Sequence, residues 1–155
     1  MSATSDAGGV SARLGFKYQD HVAAMFVLQM IGDRRMAQVE CETSDDITLV
    51  HRRTAETFRE YVQVKSTDRD NKWTFKELTD RDPSGKERPT SIAEKSLLTD
   101  TDGHNARFRI VTRRPVNHTA AALLDPVDKR ATDGPVETLA VKLLAKHSGT
   151  KSVMG

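Results

Sequence analysis

The chain has 155 residues, 37% apolar and 30% charged, which is enough for one domain with a real core. No apolar run approaches the ~20 residues a bilayer span requires, the start MSATSDAGG lacks the basic and apolar regions of a signal peptide, and the single cysteine, Cys41, excludes an intrachain disulfide and a cysteine-based zinc site. The net charge of +2 is unevenly spread: residues 1–50 carry four Lys or Arg against seven Asp or Glu, and residues 51–155 carry twenty against fifteen.

In chain order, residues 1–10 are small and polar and are expected to form a flexible N-terminal arm. A helix is expected from about Ser11 to Ile31, with Gly32-Asp33 as a glycine cap. Its stripe Val22, Ala23, Phe26 and Met30 has helical spacing and faces the core. Gln19 falls on the same stripe, where a buried amide needs partners. After a linker over 34–38, apolar alternation marks one run from Val39 to Val50 and a second from Glu60 to Ser66. The intervening His51-Arg52-Arg53-Thr54-Ala55-Glu56 reads as a solvated basic hairpin tip. Cys41, beside the motif strand, is expected to be a small buried core residue.

Trp73 begins a short amphipathic stretch, TFKELTD, and its expected role is packing under the sheet. A turn-rich loop, RDPSGKERP, follows over 81–89, then a helix over 90–98 and a strand over 107–112 with alternating Phe108, Ile110 and Thr112. Short helices are expected over 117–124 and 136–146. Helix, strands, helix, strand and helix in this order give an α/β fold with a mixed central sheet of about four strands flanked by helices.

Two stretches carry the chemistry. In EYVQVKS, Tyr61, Gln63 and Lys65 share one face of a strand, and Val62 and Val64 share the other. Asp46 has the parity of Thr48, opposite Ile47 and Leu49. Were the two runs neighbouring strands, Asp46, Gln63 and Lys65 would converge on one side of the sheet. Such a set is costly to bury unless it binds something. Carboxylate and carbonyl oxygens suit a hard divalent cation, Mg²⁺ or Mn²⁺. Asp45, on the opposite parity, is expected to cap the turn. The five histidines form no H-x-x-x-H pair, and no G-x-S-x-G elbow is present, so a small-molecule hydrolase lacks support.

The set resembles the PD-(D/E)XK nuclease superfamily in the variant with glutamine in the (D/E)XK half: Asp46 before an apolar residue, then Gln63-Val64-Lys65. The wider order is a glycine-rich start, a helix with Tyr18-Gln19, Glu42-x-x-Asp45-Asp46-Ile47, and Gln63-Val64-Lys65. Over about residues 8–125 it is similar to the N-terminal double-stranded-DNA endonuclease domain of CBASS-type anti-phage effectors, in which a nuclease is fused to a sensor of cyclic oligonucleotides. The resemblance implies a restriction-endonuclease-like core over 11–147 and a tail over 148–155 leading to a sensor domain outside this chain. It implies low-specificity hydrolysis of double-stranded DNA in the cytoplasm, with no membrane role. Asp46 would be the principal Mg²⁺ or Mn²⁺ ligand, joined by Gln63 and the Val64 carbonyl, with Glu42 as a further ligand and Gln19 behind them. Lys65 would orient the water or stabilise developing charge. A cyclic-oligonucleotide sensor domain or chain and a homo-oligomeric assembly are the partners expected besides DNA. The alternative is a catalytically silent nuclease-fold module that binds DNA or a protein.

Overall fold

A computed structural model of the chain describes residues 7–41, 46–54, 56–66, 71–80, 91–93, 106–126, 129–130, 134, 137–138 and 140–141. The chain divides into two compact units, Met1–Arg69 with Leu98–Arg113 and Asp70–Leu97 with Arg114–Gly155.

The first unit opens on helix α1, Ala7–Gly32. It starts inside the expected flexible arm. Gly8 and Gly9 are weak helix formers at roughly 1 kcal/mol each relative to alanine, which is why the pattern placed the start later. Gly32 is not in the left-handed conformation either, since Gly134 is the positive-φ glycine among the described residues. The helix closes instead through a turn in which the Asp33 carbonyl accepts from Met36 N at 3.0 Å and its carboxylate accepts from Arg35 N at 3.0 Å. Those Arg35 hydrogen bonds hold the Asp33 carboxyl below its ordinary value.

Three antiparallel strands follow: β1 Met36–Cys41, β2 Ile47–Arg52 and β3 Thr57–Lys65. The expected run from Val39 to Val50 is thus two strands and the linker over 34–38 is partly strand, because the polar Glu-Thr-Ser-Asp stretch breaks what apolar counting joined. Strand β4, Ala106–Thr112, pairs parallel to β3 and gives the sheet order β1-β2-β3-β4. This is the α/β fold with a mixed four-stranded sheet expected of a restriction-endonuclease-like core, with helix α1 packed on the sheet.

Alternation sorts the sheet's side chains. Ile47, Leu49 and Val62 meet Val22 and Phe26 of α1 and Met36 in one buried cluster, with Tyr18, Ala23, Met30, Val39, Val64 and Val111 packed against it. The β-branched Ile47, Val62, Val64 and Val111 among them fit the pleated surface. Registered partners lie on the same face, so Thr48, Tyr61 and Phe108 share the other side, where the two rings stack with centroids 5.6 Å apart. Cys41 is exposed, against expectation, because it ends an edge strand. Much of α1 presents Leu14, Phe16, Met25, Val27, Leu28 and Ile31 at exposed positions. No described helix is long and apolar enough to cross a membrane.

In the second unit, helix α2, Phe75–Thr79, is set by a capping box: Thr74 Oγ1 accepts from Glu77 N and the Glu77 carboxylate accepts from Thr74 N. Burial raises the Glu77 carboxyl, but the Thr74 amide and the Arg114 guanidinium outweigh it and hold the group below its ordinary value. Arg114 itself is buried, 4.2 Å above the ring of the equally buried Trp73, which bridges to Val116. A 3-10 helix over His118–Leu124 is capped by Asn117. The loop expected over 81–89 lies outside the described residues, and the helices over 90–98 and 136–146 largely so.

Phe26 is 1% exposed at the centre of the α1 contact. Phe26→Ala should destabilise the protein by about 3 to 5 kcal/mol in urea denaturation. Glu77 supplies a pH-dependent contribution of known sign. Its folded pKa is depressed, so the stabilisation is present above the ordinary glutamate value and disappears as pH falls through the folded one. Amide exchange across α2 should therefore be faster in Glu77→Gln than in wild type at pH 7, and the gap should close towards pH 3. A gap that widens on acidification contradicts that assignment.

Candidate active site

The residues singled out for chemistry gather where β2 begins and β3 ends. Ile47 is registered opposite Val62, so the residue before it, Asp46, approaches the end of β3. Its Oδ2 accepts from Val64 N at 2.7 Å, a short charge-assisted bond that ties the carboxylate to the middle residue of Gln63-Val64-Lys65. Gln63 and Lys65 stand on the same face of β3 by alternation. Gln63 is 2% exposed. Its Oε1 is buried and accepts no hydrogen bond among the described residues, while the residue is tied in by other interactions. Lys65 is half-buried and, among the described residues, no ion pair joins it to Asp46.

Helix α1 closes the arrangement from the other side. Gln19 Nε2 donates to the Asp46 carbonyl at 3.1 Å, so the amide reaches the backbone of the residue whose side chain meets Val64. One turn earlier, a Cβ on Gly15 would sit 3.3 Å from Ser66 Oγ, so glycine lets the helix lie close to the residue that follows Lys65. Nothing in the sequence marked Gly15; only the approach of the helix does. Glu42 and Asp45 lie outside the described residues.

The donor set suits a hard divalent ion. It offers the Asp46 carboxylate, the Gln63 Oε1 and the Val64 carbonyl, all oxygens, while among the described residues no group of three or more His, Cys, Asp or Glu that could hold a metal ion is present.

A second polar cluster, invisible in the sequence, occupies the far end of the sheet. Glu60 is buried, with Oε2 3.2 Å from His51 Nε2 and Oε1 2.7 Å from Arg109 Nε. Its three members come from three strands, and no local spacing signals them.

Residues 7–146 match the family described as Cap4, dsDNA endonuclease domain. The chain is also similar to Anti-bacteriophage protein A of Escherichia coli, 36% identical over 121 residues. That alignment covers 75% of this chain and 21% of the relative, so the chain spans about a fifth of the curated protein it matches. No solved structure matches. With 7–146 of its 155 residues in the match, the chain belongs to the Cap4 dsDNA endonuclease domain family.

Proposed function

We propose that the chain is a Mg²⁺- or Mn²⁺-dependent endonuclease of the PD-(D/E)XK kind, hydrolysing double-stranded DNA with little sequence preference as the effector domain of an anti-phage system. The observation that carries this reading is the 2.7 Å bond from Val64 N to Asp46 Oδ2, which joins the two halves of the motif. Family membership supplies the substrate, and the name of the Escherichia coli relative supports the defence role.

Asp46, the Gln63 side-chain oxygen and the Val64 carbonyl would hold the ion, with Glu42 as a further ligand. When bound, the ion supplies Lewis-acid neutralisation of charge on the attacked phosphate. The chain's own residues do the rest. The Lys65 ammonium would orient the attacking water and donate to the oxygen on which negative charge grows. Gln19 holds the main chain of Asp46 and so fixes where the carboxylate points; it is a positioning residue. Gln63 brings no negative charge, so the ion's affinity leans on Asp46, on Glu42 and on substrate phosphate. Control by a cyclic-oligonucleotide sensor, in this or another chain, and homo-oligomeric assembly in the cytoplasm belong to the same reading.

The test is cleavage of supercoiled plasmid. Cutting should require Mg²⁺ or Mn²⁺, and Lys65→Ala should slow it by roughly 100-fold or more while duplex binding changes only a few-fold, because a transition-state donor is lost and one charge among many matters little to affinity. Cleavage that persists in excess EDTA, or that survives Asp46→Ala unchanged, would refute the mechanism. Gln19→Ala should lower kcat by about 10-fold or more, with KM nearly unchanged and with more metal needed for half-maximal rate, as expected for an outer-shell group. A change confined to thermal stability would reduce Gln19 to a structural amide.

A further inference from the structure

The hairpin joining β2 to β3 and the start of β4 gather arginines whose charge no acid cancels among the described residues. Arg53 and Arg107 both lie over the ring of Phe58, with their guanidinium carbons 4.8 Å and 5.1 Å from its centroid. Laid end to end, those distances put the two cations no more than about 10 Å apart. The His51 ring stacks on Phe58 as well, at 4.5 Å and 6° between planes, so the aromatic seat is itself held in place.

Two of the nearby carboxylates, Glu60 and Asp33, are already committed. Glu60, registered beside Arg107 on the neighbouring strand, has one oxygen on His51 and the other on Arg109. Asp33 is paired with Arg35. Glu56, at the hairpin, is exposed and makes no ion pair among the described residues. Arg52 and Arg34 are exposed nearby, on a turn tied to the hairpin by the bond from Arg52 N to the Arg35 carbonyl at 2.7 Å.

Guanidinium groups held over one aromatic ring repel one another, and an anion between them relieves that repulsion. Cation–π stacking keeps them planar and outward-facing, with less side-chain entropy left to lose on binding. Phosphodiester oxygens match that fork. By alternation Phe58 shares the face of Val62 and Val64, opposite Gln63 and Lys65, so this seat lies across the sheet from the candidate site's side chains, at the hairpin end of β3. Phe58 lies five residues from Gln63 and seven from Lys65 along β3, about 17 to 23 Å at ~3.3 Å per residue. Phosphates of one strand rise roughly 3.4 Å apart along the duplex axis, so that length corresponds to about five to seven base pairs.

We propose that Arg53 and Arg107, seated on Phe58, form a second phosphate-binding surface that grips the backbone of the DNA duplex away from the bond cut. The proposal rests on the endonuclease reading and adds to it a DNA-gripping surface outside the motif. No base is read there, which fits cutting without sequence preference.

The experiment uses the whole chain and a duplex of about 30 base pairs, longer than that reach. In a Lys65→Ala background, which leaves the duplex intact, R53E with R107E should weaken binding roughly 10- to 100-fold near 0.1 M salt. The slope of log affinity against log salt should shrink in magnitude by about 1 to 2, one for each phosphate that the variant no longer neutralises. In the active protein the same pair should raise KM and leave kcat unchanged, because neither arginine touches the reacting phosphate. R53K with R107K, which keeps the charge, should bind within a few-fold of wild type. Should charge reversal unfold the hairpin, Arg53→Gln with Arg107→Gln repeats the test without new repulsion at Glu60. Affinity and salt slope within twofold of the parent, in a protein that still binds and cleaves, overturn this surface and leave the nuclease reading standing. A wild-type protein that neither binds nor cuts duplex DNA overturns both.

Discussion

The bond between Val64 N and the Asp46 carboxylate is the constraint on which the rest of the candidate site depends. It falls at the seam of two strands, where the ladder of β2 and β3 runs out and a side chain takes over the role of a main-chain acceptor. A side chain in that role has its direction set by the sheet itself. The carboxylate is aimed by the backbone of the same tripeptide that carries Gln63 and Lys65, so neither half of the motif can shift without the other. Helix α1 adds a third support through Gln19, and its close approach at Gly15 lets it stand near enough to do so. A slip of one residue in the β2–β3 register would turn Gln63 and Lys65 to the opposite face and break all three supports together.

Much of this was legible because it rests on periodicity. Alternation in EYVQVKS assigned Gln63 and Lys65 to one face, the parity of Asp46 put it on the same side, and the stripe of Val22, Phe26 and Met30 identified the packed face of α1. What escaped depends on partners far apart in the chain. The His51–Glu60–Arg109 cluster draws on three strands, and Glu60 at a strand's apolar parity looked merely like the start of a run. The division of residues 39–50 into two strands was hidden because Val39, Ile47 and Leu49 keep a common parity across the break. The helix's true closure at Asp33 was hidden because Gly32 offers a plausible stop that the backbone does not use. Cys41 shows the limit of burial arguments from neighbours in sequence: its parity is that of the core, but the strand ends where it stands.

The sheet is thus polarised along its strands. One end carries the Asp46 carboxylate beside Gln63-Val64-Lys65, and the other carries guanidinium groups over Phe58, with the apolar cluster between them. That middle keeps the two ends apart as well as stabilising the fold. Glu60 marks the border, since its burial between His51 and Arg109 cancels charge that would otherwise press on the core beside Phe26.

The parallel pairing of β3 with β4 carries a consequence for how the chain is made. β1, β2 and β3 are joined by short connections, whereas 40 residues, 66–105, separate Lys65 from Ala106. Closing so long a loop costs roughly 2 kcal/mol more chain entropy than closing the four-residue turn at 53–56. During synthesis at about 5 to 20 residues per second, β4 leaves the ribosome on the order of 2 to 8 s after β3. For that interval the three antiparallel strands, with Asp46 already facing Val64, stand with the outer edge of β3 unpaired. An open edge is a template for another chain. The parts of the site therefore meet on the nascent protein before the strand that shields them exists, a sequence of events that ribosome-stalled chains of graded length would display.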